Sequence, residues 1–361
     1  MIQNFFYHPR MLSYNFGPRH PLQPIRLHRA VSLLEEVVGL QPIDPGPGRE
    51  QDALRVHSME YVEAVRTIGA GGPTPASSIP SYGFGAGDNP PFQGMYEASL
   101  AYVAGSAAAA QAVADGAQLA FGLAGGLHHA HRARASGFCI FDDPAIAIDI
   151  LRETFPRVAY VDIDLHHGDG VQGIFLDDPD VLTCSIHESG RSLFPGTGFV
   201  EENGKFYTSL NVPLEAHTTG ENWIWAFRET VIPALQQFRP GAIVLQMGTD
   251  PHYSDPLGHL DVAAQDWLEA VREIKALGIP IVAVGGGGYS PASVPRMWAA
   301  AVMILSNVEF EDRIPEAHDQ DGKMRTFFDP NSQIPRGRGR EEAERVVRRV
   351  RELVLDPLGD S

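Results

Sequence analysis

Three carboxylates and two imidazoles fall within one eight-residue segment, Asp162–Asp169, which reads DIDLHHGD and directly follows an apolar run. In a β-strand alternate side chains share a face, so Asp162, Asp164 and His166 are expected to point the same way. Charged side chains are rarely buried unless they are paired or bound to a metal. The segment therefore favours a hydrolytic metal site at the end of a strand. A salt-bridged structural cluster is the alternative.

Further groups of chemically active residues each come after, or soon after, an apolar segment. They read GGLHH, GFC, QMGTD and GGGGY, at residues 125–129, 137–139, 246–250 and 285–289. Taken alone, a pair of histidines or a glycine-rich turn is more often structural than catalytic. Their placement after successive predicted strands makes a coincidence improbable. The sequence therefore favours one site assembled from several strand ends.

The elements that must position these groups alternate between strand-like and helix-like segments. Apolar runs of strand length recur at Leu119–Leu123, Val158–Ile163, Val181–Ile186, Ser209–Val212, Ala242–Met247 and Ile279–Val284. Helical periodicity occupies Gln93–Ala114, Pro144–Thr154, Glu221–Gln237 and Ala263–Leu277. The alternation predicts an α/β fold with a mostly parallel central sheet and helices on both faces. In such sheets active sites lie at the carboxyl ends of the strands.

Length and composition limit the classes of protein to consider. We expect the 361 residues to form one catalytic domain, with a basic linker and a C-terminal helix in residues 336–361. The absence of an eighteen-residue apolar stretch argues against a membrane span. The net charge of −17 argues against nucleic-acid binding. This charge would attract a cationic substrate, or it serves only solubility.

The cysteines and the N-terminus indicate where the protein is located. Cys139 and Cys184 lie in hydrophobic surroundings without CxxC spacing, so we expect reduced thiols in the core. Met1–Arg10 lacks the apolar core of a signal peptide. Both observations predict a cytoplasmic protein.

Together the clusters resemble the zinc-dependent histone deacetylase family, which shares its fold with arginases. The resemblance extends from about Tyr7 to Leu305 and rests on the ordered set GGLHH, GFC, DIDLHHGDG, FPGTG, GTD and GGGGY. The opening GPRHP at residues 17–21 and the segment GMYEA at residues 94–98 look most like the acetoin-utilization branch of bacterial and archaeal members. The resemblance implies an arginase/deacetylase-like fold and hydrolysis of an amide.

The resemblance also implies a role for each residue of the catalytic centre. Asp164, His166 and Asp250 match ligands of one zinc or ferrous ion per chain. His128 and His129 match the paired histidines at the catalytic water, and Asp162 and Asp169 match the carboxylates behind them. Tyr289 matches the phenol that donates a hydrogen bond to the oxyanion.

A second cation and a substrate tunnel are implied in the same way. The shell of a structural potassium ion is matched by Asp162, Asp164, the carbonyl of His166, Ser185 and the carbonyl of Ile186. Tunnel walls around an acyl-lysine stem are matched by Gly137, Phe138 and Phe194, and the carboxylate of the rim by Asp88. Arg26 matches an arginine near an internal cavity below the metal.

The function that the resemblance implies is metal-dependent removal of acetyl or other short acyl groups from lysine side chains of a protein or peptide. An acetylpolyamine or small-amide amidohydrolase on the same scaffold is the alternative. Leu257 argues against the polyamine substrate, because it stands where polyamine-selective relatives carry an acidic residue. A non-catalytic acyl-lysine binder is disfavoured by Tyr289 and the intact ligand set. An arginase-like binuclear manganese enzyme would need more bridging carboxylates. The sequence leaves the oligomeric state and the native metal open.

Two residues depart from the pattern of the family or fall outside it. Asp142 stands where most relatives carry Asn, and we expect it to contact a backbone amide or to lie beside a cation. His252, in the loop after Asp250, would line the rim of the site or be solvated.

Overall fold

The computed structural model describes residues 2–72, 79–319 and 322–360. Its centre is a parallel six-stranded sheet with the strand order β1-β6-β5-β2-β3-β4. The strands are β1 (Leu119–Gly122), β2 (Val158–Asp162), β3 (Val181–Glu188), β4 (Ser209–Leu214), β5 (Ala242–Gln246) and β6 (Ile281–Val284). Each strand begins and ends within two residues of the corresponding bounds predicted from the sequence. The predicted α/β class is confirmed.

Alternating strand side chains divide the interior into two cores. On β2, Ala159 and Val161 belong to one apolar cluster, whereas Val158 and Tyr160 belong to the other. All four residues are essentially inaccessible to solvent. A strand covered on both faces is expected to be apolar throughout, which is why the pattern is a continuous run rather than an alternation of apolar and polar residues.

Helices cover both faces of the sheet. Helices α1, α7, α8 and α9 contribute to the first core, and α4 and α5 to the second. The bounds are α1 (Ile25–Val38), α2 (Glu50–Ala53), α3 (Met59–Gly69), α4 (Met95–Ala114), α5 (Asp143–Arg152), α6 (Asp169–Phe175), α7 (Gly220–Phe238), α8 (Ala264–Ala276), α9 (Ser293–Leu305), α10 (Arg340–Val350) and α11 (Asp356–Asp360). Among the described residues, no helix combines the length and the apolar character needed to cross a membrane.

The C-terminal segment packs on the body of the protein. Helix α10 contacts α7 and β4 through Ala343, Val346, Val347 and Val350, which are buried. A π-helical turn, Arg351–Leu355, connects it to α11. The C-terminal helix predicted within residues 336–361 is thus present as α10, which buries one apolar stripe and exposes most of its charges.

The carboxyl ends of β1, β6, β5, β2 and β3 all lie at one edge of the sheet, because the strands are parallel and adjacent. The predicted clusters GGLHH, GGGGY, QMGTD and DIDLHH therefore leave neighbouring strands at this edge. The order of these clusters along the chain differs from their order across the sheet, which is β1-β6-β5-β2. The crossovers bring together segments that are more than 100 residues apart.

Candidate metal centre and active site

Asp164, His166 and Asp250 converge at the sheet edge, and one oxygen or nitrogen atom of each lies within 4.8 Å of the others. His166 Nδ1 is 3.2 Å from Asp164 Oδ1 and 3.1 Å from Asp250 Oδ2. Ligand atoms that share a tetrahedral zinc ion at about 2 Å lie roughly 3.3 Å apart, so these separations fit a common cation. The donor set of two carboxylates and one imidazole matches catalytic zinc sites, which leave a position open. These three residues therefore fit a resident metal ion.

Neighbouring groups orient the two candidate ligand carboxylates. Asp164 Oδ2 accepts hydrogen bonds from Gln246 Nε2 and from the Gly287 amide, both at 2.7 Å. Asp250 Oδ1 accepts from the Leu165 amide at 3.0 Å. Such bonds fix ligands before a metal binds. Burial and the charge of Asp164 raise the pKa of Asp250 to about 7, and a bound cation would relieve this repulsion.

Glycines leave room for the cluster. A Cβ atom added at Gly248 would lie 2.0 Å from Asp164 Oδ2, and one at Gly287 would lie 2.2 Å from Asp250 Oδ2. Any other residue at either position would displace a ligand. The glycines in QMGTD and GGGGY are thus required by close approach to the carboxylates.

The paired histidines lie beside the metal cluster and are buried. The Nδ1 atoms of His128 and His129 each donate to a carboxylate at 2.7 Å, Asp162 Oδ2 and Asp169 Oδ1 respectively. Their Nε2 atoms face each other at 3.0 Å, so one ring must carry a proton there. The two Nε2 atoms therefore lie next to each other, while each Nδ1 atom is bonded to a carboxylate.

The pKa values of the two imidazoles shift in opposite directions. Burial opposes the charged form of His128, but the carboxylates of Asp162 and Asp164 outweigh it and raise its pKa to about 9. Burial and the neighbouring His128 lower the pKa of His129 to about 3. The opposite directions of the two shifts favour the Nε2 proton on His128 and a lone pair on His129 Nε2.

Each supporting carboxylate has a second partner that the sequence reasoning missed. Asp162 Oδ2 also accepts a 2.7 Å hydrogen bond from the Tyr160 hydroxyl. Asp169 Oδ2 lies 3.3 Å from His131 Nε2. Tyr160 could have been found from the two-residue periodicity of β2, because it shares a face with Asp162. No local signal identifies His131.

Two adjacent buried aspartates, Asp142 and Asp143, support the histidine loop in different ways. Asp143 accepts hydrogen bonds from the Gly126 and Leu127 amides and from the Ser106 hydroxyl. Asp142 caps α5 by accepting from the Ala145 amide at 2.8 Å, and burial raises its pKa well above the usual range. Of the two expectations for Asp142, the contact with a backbone amide is therefore confirmed.

Aromatic rings surround the approach to the cluster. The Phe194 ring is 5.0 Å from His129, and the Phe138 ring is 5.7 Å from Tyr289. Gly137 has a positive φ of 50°, and a Cβ there would lie 2.4 Å from the His129 ring. Phe194 remains 40% exposed, so part of its ring reaches the surface. Leu257 is partly buried.

The residues predicted for the rim and for the interior have separate surroundings. Asp88 is exposed, and its carbonyl oxygen lies 3.1 Å from His20 Nε2. The His20 ring packs edge-on against Phe138 at 4.5 Å. On the inner side, Arg26 Nη1 donates to the Gly288 carbonyl at 2.8 Å and its guanidinium lies over Trp298.

The residues assigned to a potassium shell come from neighbouring strands. Asp162 and Ser185 are register partners on β2 and β3, and Ile186 follows. The Ser185 hydroxyl lies 2.8 Å from His187 Nδ1, a contact in which the hydroxyl can donate and keep its lone pairs. Oxygen ligands of this kind suit a hard cation.

His252 occupies neither position expected from the sequence. It is only 2% exposed, and its Nε2 lies 3.0 Å from Asp329 Oδ2 and 3.1 Å from Arg296 Nη2. The expectation of a rim or solvated histidine is therefore wrong. The partners Arg296 and Asp329 lie 44 and 77 residues away along the chain, so no local pattern could show them.

A family model and several curated proteins match this chain in sequence. The sequence model of the histone deacetylase domain matches residues 20–305. The acetoin utilization protein AcuC of Bacillus subtilis is 40% identical over 325 residues, covering 86% of this chain and 84% of that protein. Histone deacetylase 19 of Arabidopsis thaliana is 36% identical, and the match covers 86% of this chain and 64% of that longer protein.

Solved structures of histone deacetylase homologs also match this chain. The crystal structure of a histone deacetylase homolog from Aquifex aeolicus superposes with a TM-score of 0.88 at 26% identity, covering 96% of this chain and 99% of that one. A histone deacetylase homolog complexed with SAHA gives a TM-score of 0.87, also at 26% identity, over 97% and 100% of the two chains.

Proposed function

This chain belongs to the histone deacetylase family, and we propose that it hydrolyses the amide of an acetylated lysine side chain in a protein or peptide. One divalent cation per chain, zinc or ferrous iron, is held by Asp164, His166 and Asp250. The observation that carries the proposal is the convergence of this ligand cluster with two carboxylate-backed imidazoles. The rings of Phe194 and Phe138, which lie beside His129 and Tyr289, form the walls of the proposed substrate passage.

Amide hydrolysis needs a nucleophile, a stabilised oxyanion and an acid for the leaving amine. A cation in this site lowers the pKa of water and polarises the substrate carbonyl. The residues of the chain supply the remaining functions. They must hold and move protons at defined atoms close to that carbonyl.

His129 is the proton carrier in this proposal. Its Nδ1 donates to Asp169, so Nε2 is the atom that can accept a proton, and substrate water competes for this lone pair with His128 Nε2, 3.0 Å away. The same atom then returns the proton to the departing lysine amine. His128, fixed by Asp162, remains cationic and stabilises the developing negative charge.

Tyr289 donates the hydrogen bond to the oxyanion. It follows the glycine-rich turn whose Gly287 amide is bonded to Asp164, which keeps the phenol close to the cation site. The edge-on contact with Phe138 holds the ring at the wall of the passage. Charge develops on the carbonyl oxygen only during attack, so this contact favours the transition state over the substrate.

The passage selects a short linear acyl group on an uncharged aliphatic stem. Phe138 and Phe194 offer apolar surface to the four-carbon lysine chain, and Leu257 adds apolar surface where a polyamine would need a carboxylate. Asp88 at the exposed end is available to the substrate backbone.

Further parts of the proposal concern a second cation, the location of the protein and its domain structure. We propose a structural potassium ion held by Asp162, Asp164, Ser185 and the carbonyls of His166 and Ile186. A cytoplasmic location is supported by Cys139 and Cys184, which are both buried and unpaired. A single catalytic domain is supported by the packing of α10 on α7 and β4.

The decisive experiment profiles the purified protein, loaded separately with zinc and with ferrous iron, against acyl-lysine peptides of increasing acyl length and against acetylspermidine. We expect acetyl-lysine peptides to give the higher kcat/KM. A tenfold preference for the polyamine would replace the protein substrate by a small amide. Binding of the peptide without turnover in either metal form would favour an acyl-lysine binder. Metal analysis should give one transition metal per chain, and two would contradict the mononuclear site.

A further inference from the structure

The oxyanion donor Tyr289 lies at the end of a turn that has little conformational restraint of its own. Residues 285–288 are all glycine, and Gly286 and Gly288 have positive φ angles of 152° and 126°. Glycine loses more conformational freedom on ordering than any other residue. Among the residues that the structure describes, no hydrogen bond fixes the Tyr289 hydroxyl itself. The position of the phenol therefore depends on the packing of its ring against Phe138 and on whatever anchors its backbone.

One buried side chain, Asp255, anchors that backbone. Its Oδ2 accepts hydrogen bonds from the Tyr289 amide at 2.7 Å and the Ser290 amide at 3.3 Å. Its Oδ1 accepts from the Leu257 amide at 3.0 Å. The Asp255 side chain thus links the residue after the glycine turn to Leu257, in the loop that follows Asp250.

A carboxylate in this place requires an explanation, because burying a charge costs free energy unless hydrogen bonds compensate it. Asp255 is 7% exposed, and among the described residues no arginine, lysine or histidine forms an ion pair with it. Its hydrogen bonds come from three backbone amides. An ionised carboxylate is an acceptor on both oxygens, so it can take all three bonds, which a neutral amide side chain cannot.

Other anchors hold earlier parts of the turn. Asp164 accepts from the Gly287 amide, and Arg26 donates to the Gly288 carbonyl. The Gly288 carbonyl belongs to the same peptide unit as the Tyr289 amide, so Arg26 and Asp255 hold that unit from its two sides. Of these three side chains, Asp255 alone also accepts from the Ser290 amide, and it thereby holds the peptide units on both sides of the Tyr289 Cα atom. A lever of phenol length magnifies any rotation at these units.

We infer that Asp255 is a positioning residue that holds the Tyr289 phenol in register with the substrate carbonyl through the Tyr289 and Ser290 amides. This inference rests on the proposed amide hydrolysis. It adds Asp255, which lies outside the metal cluster and the histidine pair, to the residues on which the rate depends. Misplacement of a catalytic group by about 1 Å can cost 10²-fold, so the anchor has a large effect without touching substrate.

A double-mutant cycle tests the inference on the metal-loaded full-length protein with an acetyl-lysine peptide. The four proteins are the wild type, Asp255→Asn, Tyr289→Phe and the double variant. Asn has the size of Asp but can accept on only one oxygen, so it must place an amide group against a backbone N–H. If the Asn variant does not fold, Asp255→Glu, which keeps the charge but displaces it by one methylene, takes its place in the cycle.

We expect Asp255→Asn to lower kcat by about 10- to 100-fold with KM changed by less than about threefold and with metal content unchanged. In the Tyr289→Phe background the same substitution should lower kcat by less than about threefold, because the hydroxyl that it positions is already absent. Asp329→Asn, the same chemical change in a buried carboxylate of a separate cluster, should leave kcat unchanged in the folded protein.

The outcomes separate the inference from the function on which it rests. Equal losses in both backgrounds, or a loss of metal in Asp255→Asn, would mean that Asp255 supports the fold or the metal site and would overturn the inference alone. A kcat of Asp255→Asn within about threefold of wild type would also overturn it. A wild-type protein that does not cleave acetyl-lysine peptides would overturn the proposed function, and the positioning role with it.

Discussion

Asp250 and His252, two residues apart in one loop, belong to two buried clusters of opposite electrostatic character. Asp250 joins Asp164 and His166, a group with two carboxylates and one imidazole. His252 joins Asp329 and Arg296, a group with one carboxylate, one imidazole and one guanidinium. All six residues are at most 8% exposed.

In the second cluster the negative charge of Asp329 is neutralised by the guanidinium of Arg296. Asp329 accepts hydrogen bonds from Arg296 and from the Ala264 amide, and Arg296 also donates to the Phe327 carbonyl. In the first cluster the carboxylates of Asp164 and Asp250 face each other around one imidazole. A buried His–Asp group therefore indicates a metal site only where the fold provides no cation of its own.

The largest effect that follows from this difference is the loss of a ligand. Asp250→Ala should abolish both bound metal and turnover, because the hydrogen bonds around the cluster cannot replace a direct metal bond. Metal analysis and a peptide deacetylation assay measure the two losses. Asp329→Asn is the matched control in the balanced cluster, and we expect it to retain metal. Full metal and activity in Asp250→Ala would show that the ligand assignment is wrong.

A substitution in the cluster of His252, Arg296 and Asp329 should lower stability and leave metal binding unchanged. Arg296→Met leaves Asp329 and His252 buried without their cation, and breaking a buried ion pair in this way costs about 3–5 kcal/mol. Denaturant unfolding should show this loss of stability, while kcat and metal content of the folded protein stay near those of the wild type. Loss of metal without loss of stability would show that the two clusters act as one unit.

Next in size is the effect of removing one hydroxyl beside the metal cluster. Tyr289→Phe keeps the ring contact with Phe138 but deletes the oxyanion donor. We expect kcat to fall by about 10²–10³, the scale of one lost donor, with stability and metal content unchanged. Steady-state kinetics on an acetyl-lysine peptide measure it. If Tyr289 only packs against the turn, kcat will remain within about threefold of wild type.

The sequence predicts the fold well because strands and helices follow local pattern, and the structure brings the predicted ligands Asp164, His166 and Asp250 together. Helix α4 was expected over Gln93–Ala114 and begins at Met95, and β2 was expected to end at Ile163 and ends at Asp162. Parallel strands then force their carboxyl-end residues to one edge. The motifs at those ends could therefore be grouped into one site before the structure was known.

The residues that the sequence did not identify act through long-range contacts. Asp255 accepts from an amide 34 residues away, and His252 meets an aspartate 77 residues away. Such pairs depend on how the loops fold over the sheet edge, which no periodicity encodes. His252 was misinterpreted for the same reason: a histidine among Pro, Tyr and Ser looks solvated until Arg296 and Asp329 are placed beside it.

His57 is a buried imidazole that is held neither in the metal cluster nor by an ion pair. Its effect on stability is the smallest that we predict. Its Nδ1 donates to the His131 carbonyl and its Nε2 accepts from the Asp142 amide, so it is held neutral by backbone groups alone. Burial lowers its pKa to about 4. The unfolded chain, with an ordinary histidine pKa near 6.5, takes up the proton first, so stability is complete above about pH 6.5 and falls as the pH decreases toward 4.

The contribution of His57 to the free energy of unfolding should therefore decline by about 2 kcal/mol between pH 6.5 and pH 5. His57→Gln removes the titrating group but keeps a donor and an acceptor for the same backbone partners. Denaturant unfolding of both proteins across this range measures the effect as the difference between their pH slopes, because every other titrating group is common to them. We expect the Gln variant to have the shallower slope. Identical slopes would mean that His57 is protonated in the folded protein as readily as in the unfolded chain, so a buried imidazole would need neither a metal ion nor an ion pair to remain charged.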